Sequence, residues 1–376
     1  MKNRLKEYLN KLIEIAGSDL HVKAGSLVHM RVKGDLHPVK GETLSNDNVV
    51  EIVKEILSNE QYVRLQEEQE IDCSYTVNDR RFRVNIFYHM YGLGIAMRVI
   101  PENITSLEAL HLPKSVEALS DLEHGLILVT GITGSGKSTT LAALLDRINQ
   151  TKKKHIISIE DPVEYLHKEH SCLISQRSVG SNTHSFSNAL KASLREDVDI
   201  IFIGELRDLE TMEIALHAAN TGHLVVSTLH TMDAKETIGR IIGMFPAEEQ
   251  ARIRTTLSFV LEAVVSQRLV KTLDNNIIPA VEVMLKTQRI SELIADNRDS
   301  EILETIEKGR EIYGSQSFDQ SLLDLYDKGR ISKSVALRYA SNVSDLNLNF
   351  EGIQKIGTDT NRNIESTQPK GTFDLK

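Results

Sequence analysis

The chain contains no tryptophan, only two cysteines and seven prolines in 376 residues, and 5% aromatic residues. Cys73 and Cys172 have no partners at metal-ligand spacing, which argues against a zinc site or a disulfide scaffold and leaves two idle thiols. No apolar run approaches the roughly 20 residues that a membrane-spanning helix needs. The opening MKNRLKEYLNKLIEIAG lacks the unbroken apolar core and small-residue cleavage site of a signal peptide, so the chain is expected in the cytoplasm. Its Leu5, Leu9, Leu12 and Ile13 instead share one helical face, interleaved with charge. Positive charge is in deficit: 44 Lys and Arg against 53 Asp and Glu give a net charge of −9, which disfavours broad electrostatic binding to nucleic acid.

The length suffices for two domains, each with its own core. Residues 1–100 read as a small α+β unit: the opening helix, short strand-like segments in DLHVKAG and LVHMRVKGDLHPV, and one helical stretch, SNDNVVEIVKEILSNEQYVRLQEE. Val49, Ile52, Val53, Ile56 and Leu57 lie on one side of that stretch. Three further strand-like runs follow, IDCSYTV, RRFRVNIFYHM and LGIAMRVI. Residues 101–110, with Pro101 and the polar ENITS, read as a linker. From Gly125 the texture changes to strand–helix alternation, the signature of a parallel sheet covered by helices, within a core placed at 111–290. LILVT, HIISI, DIIFI and LVVST are its strand candidates, each expected to lead through polar residues into a helix. Residues 291–350 read as helical, with Ser317 as an N-cap and Gly329 as a stop, and 351–376 as a polar tail expected to be disordered.

One motif carries chemistry outright. Gly131-Ile-Thr-Gly-Ser-Gly-Lys137-Ser138 matches G-x-x-x-x-G-K-[ST], with an apolar strand before it and a helical pattern, TTLAALLDRI, after it. Glycines let the backbone curl so that several N–H groups converge on one anion, and the helix N-terminus adds the positive end of its dipole. Lys137 can then reach the β- and γ-phosphates of ATP, and the Ser138 hydroxyl can ligate Mg²⁺.

Ligands in open parallel sheets sit beyond the carboxyl ends of the strands. HIISI ends in Glu160, Asp161 and Glu164; DIIFI ends in Gly204-Glu205 and then Arg207-Asp208; LVVST ends in Leu229-His230. Glu205 has the position of a carboxylate that holds Mg²⁺ through water or orients the attacking water. Among Glu160, Asp161 and Glu164 the chemistry wants a water-activating base near the γ-phosphate, against the competing reading that they cap a helix. A strand rises about 3.3 Å per residue, so His223 and His230 stand roughly 20 Å apart in an extended run. His230 therefore reads as a γ-phosphate sensor, and His223, on geometry, as structural.

The segments GITGSGKSTT, ISIEDPVEY, LREDVDIIFIGELRDLET and TGHLVVSTLHTMDAKETIGRIIGMFPAEEQ resemble the secretion ATPases of bacterial type IV pili, most of all the retraction (twitching motility) ATPases of the PilT/PilU type. GSDLHVKAG and RFRVNIF are similar too, so the resemblance spans nearly everything but the tail. It implies a PAS-like N-terminal domain, a RecA-like ATPase domain and a hexameric ring with nucleotide between the two domains. Carried over by position, Thr133, Gly134, Ser135, Gly136, Lys137, Ser138 and Thr139 bind nucleotide, Glu160 to Glu164 form an aspartate box, and Gly204 and Glu205 end the Walker B strand. His223 and His230 form a histidine box, which gives His223 a part that strand geometry does not. Arg83 and Arg98 occupy candidate positions for N-terminal arginines that approach the phosphates, competing with exposed strand charges. Ile132 and Val198 stand where the family usually has proline, and RISELIADNR replaces an AIRNLIRE element tied to retraction.

The resemblance implies pilus disassembly by ATP hydrolysis, with copies of the chain, an inner-membrane platform protein and a paralogous retraction ATPase as partners and only indirect membrane attachment. The alternatives are an accessory PilU-like ATPase with weak activity of its own, a pilus-extension or type II secretion ATPase, and, from another class, a nucleic-acid translocase. Extension ATPases usually carry a tetracysteine zinc motif, which this chain cannot form. Glu164 and Glu205 remain alternatives for the water-orienting carboxylate.

Overall fold

The computed structural model describes residues 4–78, 80–100 and 103–351. Pro101 of the expected linker and most of the expected disordered tail lie outside the described residues. The first sheet has six strands, all antiparallel to their neighbours: β1 (Asp19–Lys23), β2 (His29–Val32), β3 (Asp35–Pro38), β4 (Glu70–Val77), β5 (Arg80–His89) and β6 (Gly92–Val99), in the order β3-β2-β1-β6-β5-β4. One face is apolar because alternate residues such as Leu20, Val22, Phe82, Val84, Ile95 and Met97 point to it. The amphipathic helix Arg4–Glu14 packs Leu5, Leu9 and Leu12 into the same core.

The single helical stretch expected over residues 45–68 is two helices, Asn46–Ile56 and Asn59–Glu68. Leu57 is extended, and Ser58 opens the second helix with a capping box: its hydroxyl accepts from the Gln61 N–H while the Gln61 side chain accepts from the Ser58 N–H. Two satisfied backbone donors outweigh continuation of the hydrophobic pattern through the break.

The second sheet contains β7 (Gly125–Thr130), β8 (His155–Glu160), β9 (Leu173–Ser178), β10 (Ile200–Ile203), β11 (Leu224–Leu229), β12 (Leu261–Lys271) and β13 (Ile277–Leu285), in the order β13-β12-β7-β11-β10-β8-β9. Only the β12–β13 pair is antiparallel. The four strands read from sequence form the contiguous parallel run β7-β11-β10-β8. Their apolar runs bury both faces: Leu126, Leu128, Ile157, Ile159, Ile201 and Ile203 enter one core, and Ile127, Val129, Ile156, Ile200 and Phe202 the other.

Three strands in this sheet, β9, β12 and β13, were not expected from the sequence pattern. Nor does β8 lead into a helix, since residues 161–172 are irregular and run to β9. The helices after β7, β10 and β11 are Lys137–Thr151, Leu209–Asn220 and Ala234–Gly243. Beyond β13 the chain is helical to Phe350; Ser317 caps the helix Phe318–Asp327 through a capping box with Gln320, and Gly329 follows it at φ +64°. Cys73 and Cys172 are buried free thiols. Among the described residues, no helix is long and apolar enough to cross a membrane.

Candidate nucleotide site

The loop between β7 and the helix Lys137–Thr151 needs glycine for steric reasons. Gly131 sits at φ +142°, and a Cβ there would lie 2.5 Å from both the Gln267 carbonyl oxygen and Ser135 Oγ. Gly136, at φ +89°, would place a Cβ 2.7 Å from Gln267 Nε2. The neighbouring strand β12 braces this turn: Thr140 Oγ1 donates to Gln267 Oε1 at 2.8 Å and Thr130 Oγ1 to Ser266 Oγ at 2.9 Å. Lys137 Nζ donates to the carbonyl oxygens of Gly131 and Ile132, at 2.8 and 3.0 Å. Burial lowers its pKa, opposed by the carboxylates of Glu205 and Glu164. Ser135, 2% exposed, turns its side chain beneath the loop beside Gly131.

The carboxylates take different places. Glu205 follows β10, forms an ion pair with Arg207 and has His230 Nε2 3.4 Å from its Oε2. Thr228 Oγ1 donates to the Gly204 carbonyl at 2.6 Å, tying the end of β11 to the same turn. Glu160 is 7% exposed, accepts from Ser158 Oγ at 2.9 Å and from the Glu164 N–H at 3.1 Å, and burial pushes its pKa up to about 7. It thereby shapes the turn that carries Glu164. No helix begins in residues 161–172, so these acids cap none. Asp161 is pushed above the usual carboxylate range by burial and by Asp72, with Arg207 and Arg83 opposing. Asp208 is an N-cap, its Oδ1 accepting from the Thr211 N–H at 2.8 Å.

These groups meet in one cleft of about 590 Å³ between the two sheets. Thr133, Gly134, Gly136, Lys137, Ser138 and Thr139 line one side; Glu160, Asp161, Glu164, Glu205 and His230 line the strand ends; Arg83 and Arg98 of the first sheet close it. His223 is not in this cleft. It precedes β11, with Nδ1 3.1 Å from the Ala218 carbonyl, and its own carbonyl accepts from the Gly125 N–H at the base of β7.

Sequence reasoning gave no role to four residues that shape the site. Tyr165 lines the cleft with its hydroxyl 3.0 Å from Thr139 Oγ1, and burial raises its pKa. His167 lines it too, with a buried Nδ1 that has no hydrogen-bond partner and a pKa lowered by burial. Gln267 braces the loop, and Arg207 pairs with Glu205. Arg207 had a signal, since it lies two residues beyond Glu205; Gln267 had none, because only the sheet brings β12 beside β7.

The cleft's oxygen donors suit Mg²⁺, which is held through one or two protein oxygens together with phosphates rather than by a protein cage. Among the described residues no group of three or more His, Cys, Asp or Glu could hold a metal.

Comparison with known proteins agrees with this architecture. A family model described as "Type II/IV secretion system protein" matches residues 1–356. The "Type IV pilus retractation ATPase PilT" of Pseudomonas aeruginosa is 43% identical over 320 residues, covering 85% of this chain and 93% of its own. The "Type IV pilus ATPase PilU" of the same organism is 38% identical over 370 residues, covering 97% and 95%. A crystal structure of the pilus retraction motor PilT with bound ADP superposes with a TM-score of 0.85 at 39% identity, covering 91% of this chain and 98% of that one. The chain therefore belongs to the type II/IV secretion system protein family and is one of its ATPases.

Proposed function

We propose that this ATPase is a pilus-retraction motor that binds ATP in the cleft between its two sheets and works as a hexameric ring. The observation that carries the reading is the meeting of a phosphate loop, the Glu205–His230 pair and two arginines from the other sheet in one cleft. The N–H groups of residues 133–139 and the Lys137 ammonium stabilise phosphate charge. Ser138 and Glu205 would hold Mg²⁺, which would neutralise charge on the β- and γ-phosphates. Glu164 or Glu205 orients the attacking water, and His230 senses the terminal phosphate beside Glu205. Arg83 and Arg98 close over the phosphates, so nucleotide contacts favour a closed arrangement of an N-terminal domain (1–100) on an ATPase core (111–290), and product release opens it.

Through that opening and closing the ring would pull on a platform protein at the cytoplasmic face of the inner membrane, with membrane attachment only through that partner. The alternative of an accessory retraction ATPase draws support from the PilU relative, whose match covers 97% of this chain. Twitching assays in a host lacking its principal retraction ATPase separate the two. Restoration by this chain alone supports the autonomous motor; restoration only beside a second ATPase supports the accessory role, and no restoration in either setting overturns both.

A further inference from the structure

Asp19 is a carboxylate of 7% exposure in the middle of a row of arginines. Strand register places Arg31 of β2 and Arg98 of β6 on either side of it, and Arg83 of β5 beyond Arg98. All four lie on the sheet face opposite the apolar core, since Leu20, Met30, Met97, Phe82 and Val84, one residue along each strand, enter that core. Like charges directly opposite each other destabilise an antiparallel pair. The Arg83–Arg98 pair becomes favourable only with negative charge beside it. Asp19 supplies some from one side, and the cleft lies at the other.

The contacts are specific. Arg98 Nε donates to Asp19 Oδ1 at 2.8 Å, and Ser18 Oγ donates to Asp19 Oδ2 at 2.7 Å. Arg31 Nε stands 3.9 Å from that second oxygen. The carboxylate is anchored, with a side chain 10% exposed, while that of Arg98 is 71% exposed and lines the cleft. Burial works against ionisation of Asp19, but the bonds from Ser18 and Arg98 prevail and hold its pKa below the usual value. Because Asp19 takes the inner nitrogen of the guanidinium, the outer fork is left for the oxygens of one phosphate. Arg83 and Arg98 line the same cleft as Glu205, at whose side a terminal phosphate belongs.

We infer that Asp19 is a positioning residue: it holds Arg98 by Nε so that the guanidinium meets the terminal phosphate of a nucleoside triphosphate bound at the Gly131–Thr139 loop. This rests on the reading of the cleft as an ATP site.

The test measures dissociation constants of a fluorescent non-hydrolysable ATP analogue and of the matching ADP analogue, on the full chain, with thermal melts as a folding check. The variants are D19N, R98A, R98K and the D19N/R98A double, with K137A as a control expected to weaken both nucleotides. D19N should weaken triphosphate binding about 5-fold or more relative to diphosphate, R98A more strongly, and the double variant should match R98A within about 2-fold. R98K keeps the charge but has no Nε, and should lose the discrimination much as R98A does; it carries the test if D19N does not fold. The inference is overturned if D19N affects both nucleotides equally, if its effect multiplies with that of R98A, or if R98K retains wild-type discrimination. A wild-type protein that binds neither nucleotide would overturn the ATP-site reading itself, and this inference with it.

Discussion

His223 and His230 flank the same strand and serve its opposite ends. The carbonyl of His223 accepts from the Gly125 N–H where β7 begins, whereas Nε2 of His230 stands 3.4 Å from Glu205 Oε2 where β10 and β11 end. Of these two histidines, His230 lines the cleft of the phosphate loop and His223 does not. His230→Ala is expected to lower ATP turnover about 10-fold or more, and His223→Ala less than about 3-fold, in steady-state assays at saturating ATP. A collapse with His223→Ala alone would move its role to a contact between copies.

The glycines of the phosphate loop are not equivalent. A methyl at Gly131 meets the backbone carbonyl of Gln267 at 2.5 Å, which cannot swing aside, while a Cβ at Gly134 has nothing within 4 Å. Gly131→Ala should cost about 2 kcal/mol or more of stability, and Gly134→Ala about 1 kcal/mol, from its positive φ alone. Urea denaturation of the two variants beside wild type measures the difference, and equal losses would contradict the steric account.

Glu282 of β13 is 3% exposed, and its Oε1 accepts from the Ala234 N–H at 2.8 Å, at the start of the helix Ala234–Gly243. Burial pushes its pKa from the ordinary 4.5 to about 7, against the Ala234 hydrogen bond. Between those values the folded state holds the extra proton, so stability from this group is full below the lower value and is lost as pH rises to the upper one. Glu282→Gln keeps the acceptor without the charge. It should raise stability at pH 8 by about 1–3 kcal/mol and change it little at pH 5. An equal shift at both pH values would contradict the burial argument.

The central sheet and the phosphate loop were legible because their requirements are local. Fully buried parallel strands read as unbroken apolar runs, and the loop's glycines are demanded by its own backbone. The strands missed were those whose patterns conflict. β12 begins directly from the helix Gln250–Val260 without Gly or Pro between, and buries Ser266 and Gln267. β13 contains Pro279 and the buried Glu282, and β9 is a half-buried edge strand. The Asp19–Arg98 bond joins residues 79 apart, and only strand register reveals it.

If this cleft hydrolyses ATP within a ring of identical chains, turnover depends on the phosphate-loop lysine and on Glu205. The most direct test is the steady-state ATPase rate of the purified protein, wild type beside Lys137→Ala and Glu205→Ala, with the mass of the assembly determined in the same samples. A hexamer of measurable turnover is expected, its rate falling about 100-fold or more in both variants while the assembly persists, with no stimulation by DNA. A folded hexamer whose wild-type turnover is already negligible, or a rate unchanged by either substitution, would contradict it.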